Sequence, residues 1–489
     1  MAMTNVGDGS AGLKANAMGL FGDWVAGIAN VAPSSSVAFT LALMMSFAGL
    51  SSPFAVLIIG VGMLFVAVGY SRLNNWNPNA GSPFVWVGSV VRPWLGFAVG
   101  LLAIIGMLLF NIGNITLAGS YLISIIAPHA VPSSILVWVV SAAIMGLVLF
   151  LAIRGIRPSI RVQISLLIVE YAIVLFFVVM AVIYELSGRH ARASSPSWHM
   201  FTPSLAIGGW RGITTAAVPI VVLYEGWEAT LVLSEETTDT KKNPGRAAIL
   251  GLVFLIVWYT LLTLVFQGIA DPKTVIAHGS DVLAFVGKVL LPEPWARLFP
   301  LAVFIAVFGT TQMQLTASSR VVYAMAREKL LPRVLSSLSK HQTPLGAAIL
   351  LGLIPVLVLI PYLISTGALT VIGDVISSAG IAYLFIYAVI ALTSVWFYRE
   401  ALVKNVRFLI GSGLVPLIGG LMMVTALVYG VFTESAPVAW IGSMTIVVCL
   451  IVGIGYNLRS RHSYFHQTRV LYSANHMDTV ANETSDRDD

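Results

Sequence analysis

Residues Val218 to Arg246 read VPIVVLYEGWEATLVLSEETTDTKKNPGR. A span-length apolar run is interrupted at 224–228, resumes through Leu233 and ends in a charged segment. Two carboxylates within such a run are costly in hydrocarbon and need a polar cavity. Gly226 lets the backbone leave helical angles, and unwound backbone at membrane depth is tolerated where it lines a cavity. The stretch therefore predicts a transmembrane helix that is broken at a binding site.

The composition of the whole chain is that of a membrane protein. Of its 489 residues, 58% are hydrophobic and 10% are charged, whereas soluble domains carry roughly 25% charged residues. We predict an all-α polytopic protein with a cytoplasmic N-terminal segment at 1–19, a transmembrane domain at 20–458 and a disordered cytoplasmic tail at 459–489. The single cysteine, Cys449, leaves no pair for a disulfide and no multi-thiolate metal site.

Apolar runs of about 20 residues, the length that crosses the hydrocarbon core, predict about twelve transmembrane helices. The third run is too long for one perpendicular span, so this helix is expected to tilt or to project from the bilayer. The predicted spans are residues 22–47, 53–71, 86–126, 134–153, 162–186, 212–233, 247–269, 297–326, 345–365, 371–397, 407–432 and 437–458.

The basic residues are distributed unequally between the two sets of loops. With the N-terminus inside, most of the Lys and Arg residues fall in inner loops, which predicts that both termini are cytoplasmic and that the protein resides in the inner or plasma membrane. The eighth helix ends in a basic collar that includes Arg320 and Arg327. Anchoring to lipid phosphates is the expected role of this collar.

The first helix carries a proline followed by three serines, Pro33 to Ser36, in the middle of its span. Proline lacks an amide hydrogen and clashes with the preceding turn, which favours a break here. The restarted half-helix would direct free N–H groups and serine hydroxyls towards a carboxylate. The alternative is a kinked helix whose serines bond back to its own carbonyls. Interruptions in the first and sixth helices are the spacing that a five-plus-five inverted repeat requires, with two further helices after it.

Polar residues in two other helices suggest roles inside the membrane. Glu170 lies within the fifth helix, where a carboxyl group suits the uptake and release of a proton; the alternative is a structural, hydrogen-bonded interior carboxyl. Asn111 and Asn114 share one face of the third helix, and such residues more often join helices than bind a solute.

Three stretches resemble signatures of the amino acid/polyamine/organocation (APC) transporter superfamily: 79–86, 224–244, and 319–332 with Thr343-Pro344 after it. The resemblance extends from helix one to helix ten, and helices eleven and twelve fit only by hydrophobicity. It implies a leucine-transporter-type fold with alternating access around the breaks in helices one and six. This chain lacks the usual Gly-x-Gly of the first break, and it has Glu170 where some members carry a Lys that stands in for sodium.

On these grounds we predict a secondary active transporter, an amino acid permease that takes up its solute with protons. The serines and nearby amides would hold the carboxylate, the carbonyls around 222–224 would accept from the ammonium, and an aromatic side chain would cover the solute. The predicted substrate-binding residues are Pro33, Ser34, Ser35, Ser36, Val222, Tyr224, Glu225, Gly226 and Trp227, and the predicted proton-coupling residues are Glu170 and Glu228.

The sequence is also compatible with other functions. Glu225 supports a transporter of polyamines or other organocations, because a neutral amino acid would leave this carboxylate unpaired; a substrate exchanger of the same superfamily is a further alternative. An enzyme is not expected, since the histidines fall in predicted loops and no nucleophile constellation is present, and the acidic residues form no pore-like ladder for a channel. We expect no cofactor or metal, no nucleic acid partner, and a small amine or amino acid and membrane lipids as partners, with a proton gradient as driving force.

Overall fold

The computed structural model describes residues 12–127, 133–187, 197–279, 282–366, 368–460, 462–466 and 470. Within these ranges the chain is helical, and its β structure consists of two isolated bridges, Met18–Thr237 and Leu338–Pro344. Nine segments of the described chain are long and apolar enough to cross a membrane. The first of these segments contains transmembrane helices one and two. Helix six, which is broken, and helix nine are not among the nine segments, and they bring the total to the predicted twelve.

The helices are numbered in chain order, with letters for the parts of a broken helix. They are α1a (Leu20–Val31), α1b (Pro33–Ala48), α2 (Ser52–Trp76), α3a (Pro83–Val90), α3b (Pro93–Ile126), α4 (Ser134–Ala152), α5 (Ile156–Leu186), α6a (Ala217–Tyr224), α6b (Ala229–Val232), α7 (Asn243–Phe266), α8 (Leu298–Arg327), α9 (Leu345–Thr366), α10 (Ala368–Leu402), α11 (Val415–Thr433) and α12 (Ala436–Arg459). Shorter helices in the connections include Trp210–Thr215, Pro272–Ala277 and Val282–Leu290.

The first helix is broken at Ala32, which has left-handed backbone angles (φ 52°, ψ 68°) between α1a and α1b. The following Pro33 disfavours helical angles in the residue before it and is itself well suited to the first position of a helix. A left-handed alanine costs about 1–2 kcal/mol. Two donors hold its carbonyl, Ser36 N at 2.9 Å and Ser35 Oγ at 3.1 Å. The predicted break is therefore confirmed, and it is carried by an alanine rather than by a glycine.

The sixth helix is broken between Tyr224 and Ala229. Gly226 has φ +115°, and a Cβ on it would lie 2.7 Å from the backbone oxygen of Asn30 in α1a. The Asn30 side-chain amide also donates to the Gly226 carbonyl at 2.9 Å. Glycine is needed here both for the backbone angle and for the close approach, and the two helix breaks are in direct contact.

The third helix differs from the prediction of one uninterrupted span at 86–126. It divides into α3a and α3b, and Arg92 between them is extended (φ −157°, ψ 137°). The reason is Pro93, which cannot donate to the preceding turn and restricts the residue before it. At 34 residues α3b is still about 50 Å long, more than a perpendicular span needs.

Both described chain ends lie on one side of the molecule, called the terminal face below. Thr238 N donates to the Met18 carbonyl at 2.9 Å, Ala80 N donates to Glu235 at 3.0 Å, and the Tyr464 ring lies 5.5 Å from that of Phe84. These contacts connect the start of the chain, the segment after α6b and the segment after α12.

The beginning of the predicted disordered tail is folded. Ser463–His466 form a 3₁₀ turn in which Tyr464 and Phe465 are buried, and the Phe465 ring packs against Phe97 at 5.8 Å. Burying Tyr464 against α3a and Phe465 against α3b offsets the cost of ordering this turn. Residues 1–11 and 471–489, which include most of the predicted terminal segments, lie outside the described residues.

Candidate functional site

A cavity of about 30 Å³ lies where the breaks of α1 and α6 meet. Such a volume holds one or two water molecules, so the site has to widen before it can hold an amino acid or a polyamine. The lining consists of Asn30, Val31, Ala32, Ser35, Ser36, Phe39, Phe110, Asn114, Leu117, Val222, Glu225, Thr310 and Ile376.

Four polar side chains of this lining donate their hydrogen bonds to backbone carbonyls at the breaks. The bonds run from Asn30 to Gly226 (2.9 Å), from Ser35 to Ala32 (3.1 Å), from Ser36 to Val31 (2.6 Å) and from Thr310 to Ala29 (2.8 Å). The side-chain oxygen of Asn30 is buried and has no partner among the described residues. The cavity wall therefore offers mainly hydrogen-bond acceptors.

Glu225 is the only acidic residue of the described lining, and this lining contains no Lys, Arg or His. The residue follows α6a directly and is 4% exposed. The Gln314 amide donates to its Oε1 at 3.4 Å, and Tyr383 lies beside the same carboxylate. Gln314 and Tyr383 are neutral, and the Glu228 carboxylate lies near enough to add negative charge, so a cationic group in the cavity suits Glu225.

Ser34 and Glu170 form a separate contact beside the cavity. The backbone N and the Oγ of Ser34 both donate to Glu170 Oε1, at 3.1 and 2.7 Å. Glu170 thus places its carboxylate at the start of α1b, where the helix dipole favours negative charge. The Ser34 amide is occupied in this structure, and Ser35 and Ser36 are the serines that reach the cavity.

Glu228 connects the break in α6 to α10. Its Oε2 accepts from the Gly226 backbone at 3.2 Å and from the Tyr387 hydroxyl at 2.9 Å. Its Oε1 is buried without a hydrogen-bond partner in the described part of the chain. The residue is close to Glu225 in sequence but is not part of the cavity lining.

The other predicted binding residues occupy different positions. Val222 lines the cavity, whereas Pro33 begins α1b outside the lining. The Tyr224 hydroxyl donates to the Val56 carbonyl of α2 at 3.1 Å. Trp227 stacks on the Tyr387 ring at 5.8 Å. The structure therefore does not bring Tyr224 or Trp227 to the cavity, because both bury their rings against neighbouring helices.

Sequence reasoning missed Asn30, Thr310 and the aromatic residues of the lining, and it assigned Asn114 to helix contacts. One signal was available for Thr310, because polar residues begin there after the apolar run 301–308 of α8. Asn111 is buried with both side-chain polar atoms unpartnered among the described residues, and its neighbour Asn114 lines the cavity.

Two ion pairs connect α8 to the segment after α6b on the terminal face. Arg320 Nε lies 2.8 Å from Glu236 and Arg327 Nη2 lies 2.8 Å from Glu235. The expected lipid-phosphate anchoring is wrong for Arg320, which is buried in its ion pair, whereas Arg327 is paired within the protein but partly exposed. Burial would raise the pKa of Glu235, but the hydrogen bond and charge of Arg327 and the Ala80 amide outweigh it and hold that pKa below the ordinary 4.5.

Comparisons with known proteins agree with the fold and the class of function. The branched-chain amino acid permease BcaP of Lactococcus lactis is 23% identical over 64% of this chain and 68% of its own. The low-affinity putrescine importer PlaP of Escherichia coli is 25% identical over 71% of this chain and 74% of its own. The crystal structure of a mutant manganese transporter from Eremococcus coleocola matches with a TM-score of 0.58 at 12% identity, covering 89% of this chain and 92% of that one, which concerns the fold alone.

The sequence model of the amino acid permease family matches residues 19–456, nearly all of the transmembrane domain. The predicted superfamily and the fold of about twelve helices with interrupted first and sixth helices are confirmed, and the family and its relatives are transporters rather than enzymes. The chain therefore belongs to the amino acid permease family of APC superfamily membrane transporters.

Proposed function

We propose that the chain is a secondary active transporter that binds the ammonium group of an amino acid or a related amine at Glu225. The observation that carries this proposal is the carboxylate of Glu225 on a cavity wall made of acceptors. An alkylammonium group carries a positive charge and donates three hydrogen bonds, so it complements such a wall.

An amino acid is the first substrate class, and the family and the relative BcaP support it. Its carboxylate would lie at the start of α1b, where the helix dipole is favourable, once Glu170, which occupies the Ser34 amide there, is protonated. Ser35 and Ser36 would then turn their hydroxyls from the carbonyls of Ala32 and Val31 towards the carboxylate. This rearrangement accompanies the widening that the cavity needs.

A polyamine or another organocation is the second candidate, and one observation favours it. Four polar side chains of the lining already donate hydrogen bonds to backbone carbonyls. Few donors are therefore free to bind the carboxylate of an amino acid. A molecule with only ammonium groups would leave those bonds intact. The putrescine importer among the relatives supports this candidate.

The deciding experiment is uptake by the purified protein in proteoliposomes, with labelled branched-chain amino acids and labelled putrescine in parallel. If the amine is bound by Glu225, Glu225→Gln lowers uptake at least tenfold, because one charge-assisted hydrogen bond is worth roughly 1.5–3 kcal/mol. Glu185→Gln, a buried carboxyl in α5 outside the cavity lining, is the matched control and should retain uptake. Unchanged uptake by Glu225→Gln would contradict the proposal.

We further propose that proton binding to Glu170 and Glu228 drives uptake. Neutral Glu170 would hold the Ser34 amide and hydroxyl less tightly, which loosens α5 from the start of α1b. Neutral Glu228 would loosen the α6 break from α10 in the same way. Each carboxyl group therefore makes a contact between helices depend on its protonation.

The coupling is tested with an inward proton gradient imposed on the proteoliposomes. We expect the gradient to raise accumulation by the wild type and to have little effect on Glu170→Gln or Glu228→Gln. Unchanged gradient dependence in both variants would remove these residues from the coupling. Counterflow that persists without any gradient would identify an exchanger.

We also propose that the terminal face is cytoplasmic, as the charge distribution predicts. The lone Cys449 is 2% exposed, so its background labelling should be low. Ser460→Cys, placed after α12, should react with an impermeant maleimide only after the cells are opened. Labelling in intact cells would place this face outside.

A further inference from the structure

A second cavity, of about 590 Å³, lies on the terminal face and is strongly basic. It is formed by the connection between α4 and α5, the turn before α9 and the described start of the chain. Its basic lining consists of Lys14, Arg154, Arg157, Arg161, Lys340 and His341. The described lining includes no Asp or Glu, and none of these side chains forms an ion pair with a described carboxylate.

Backbone contacts hold the walls of this basic cavity in place. The Thr343 hydroxyl donates to the Ile153 carbonyl at 3.2 Å, which fixes the turn before α9 over the α4–α5 connection. Ser339 N donates to the Thr343 carbonyl at 2.8 Å and closes this turn. Arg157 Nε donates to the Ala17 carbonyl at 3.1 Å and attaches the start of the chain. Arg157 is therefore part of an ordered frame, from which the other charged side chains project.

The helix that begins in the basic cavity adds to its preference for anions. α5 starts at Ile156, and its N-cap residue, Gly155, provides no side-chain cap. The free amides and the dipole of a helix start favour negative charge. Guanidinium groups bind phosphate oxygens through paired hydrogen bonds. A phosphate is therefore the chemical group that this lining fits.

One wall of the basic cavity is apolar and faces away from the protein. Phe150 lines the cavity and is 47% exposed, and the Arg154 guanidinium lies 4.4 Å from its ring centre. Leu147, one turn earlier in α4, is 51% exposed. A soluble phosphate would use only the basic part of this surface, whereas a phospholipid would use both parts.

We propose that this basic cavity binds the phosphate headgroup of an anionic phospholipid from the leaflet on the terminal face, with the acyl chains along α4. Basic pockets between transmembrane helices are suited to anionic headgroups, and each Lys or Arg near the surface contributes about 1 kcal/mol, or about fivefold in affinity. The site is separate from Glu225, so its test does not depend on the proposed substrate.

The test measures binding of phosphatidylglycerol to the full chain in nanodiscs of otherwise neutral phosphatidylcholine, by native mass spectrometry across a lipid titration. We expect Arg154→Gln with Arg161→Gln to weaken binding about 25-fold. The matched control is Lys404→Gln with Arg407→Gln, which removes the same charge from exposed residues of the α10–α11 connection and should change binding less than twofold. Melting temperatures check that both variants fold.

Three outcomes would overturn the proposal. Equal weakening in the two double variants would show a diffuse attraction rather than a site. Unchanged binding in Arg154→Gln with Arg161→Gln would show that the cavity is not used. Inorganic phosphate that binds in purely neutral nanodiscs as tightly as phosphatidylglycerol, and that is lost in the same variant, would identify a site for a soluble anion.

Discussion

The two ion pairs of the terminal face allow a direct comparison of how burial changes the contribution of an ion pair to the free energy of unfolding. They join the same two segments and have the same closest N–O distance of 2.8 Å. Arg320 and Glu236 are each 1% exposed, whereas the side chains of Arg327 and Glu235 are 36% and 22% exposed. The two pairs therefore differ mainly in their access to water.

Glu236→Gln should destabilise the fold far more than Glu235→Gln. The first change leaves the Arg320 guanidinium buried without a counter-charge, which costs about 3–5 kcal/mol. The second change leaves Arg327 in contact with water, and exposed pairs contribute about 0–1 kcal/mol. The Ala80 amide, which donates to Glu235 at 3.0 Å, still finds an acceptor on a glutamine.

The assay is the free energy of unfolding in mixed micelles, measured by titration with a denaturing detergent. A third variant, Arg320→Met with Glu236→Leu, removes the buried pair as a whole and should recover most of the loss, because a well-packed apolar replacement is often neutral or stabilising. Similar losses for Glu235→Gln and Glu236→Gln would show that burial does not set the contribution of these ion pairs. Failure of the double variant to recover would show that the pair stabilises the fold in its own right.

Three further changes test other parts of the structure. Gly226→Ala should cost about 2–5 kcal/mol and abolish uptake, since it combines a positive φ with a backbone contact at 2.7 Å, whereas Gly146→Ala has open space and should be neutral in the same unfolding titration. The pair of Glu235 with Arg327 stabilises the fold above the ordinary Glu pKa, so the stability difference between the wild type and Glu235→Gln should vanish as the pH falls below 4.5. Tyr387→Phe removes the hydroxyl that donates to Glu228, so it should reduce gradient-driven uptake in proteoliposomes without abolishing binding of the transported solute.

The parts of the fold that depend on apolar length could be predicted from the sequence. Proline favours a break, as at Pro33, but it does not impose one, since α9 continues through Pro355 and Pro361. The same reasoning was available at Pro93, but the length of the apolar run concealed it. The packing of Tyr464 and Phe465 could not be predicted, because two aromatic residues in a polar segment carry no periodic signal.

The candidate site is less accessible to sequence reasoning because it depends on contacts between distant segments. Glu225 could be predicted as a site residue because a carboxylate is costly in hydrocarbon, and it lies in the cavity lining. Nothing in the local pattern distinguishes it from Glu228, which faces Tyr387 instead. Thr310 belongs to a polar run, but that it meets the break in α1 beside Asn30 follows only from the packing of α1a against α8.

The acceptor-rich wall around Glu225 has a consequence for selectivity among amines. A primary ammonium brings three N–H groups, and each N-methyl group removes one while it leaves the positive charge in place. A quaternary ammonium would thus satisfy Glu225 by charge alone and leave the buried Asn30 oxygen without a donor. Because an unpaired buried acceptor costs about 1–3 kcal/mol, this transporter should rank amines by their degree of N-methylation, with primary amines first.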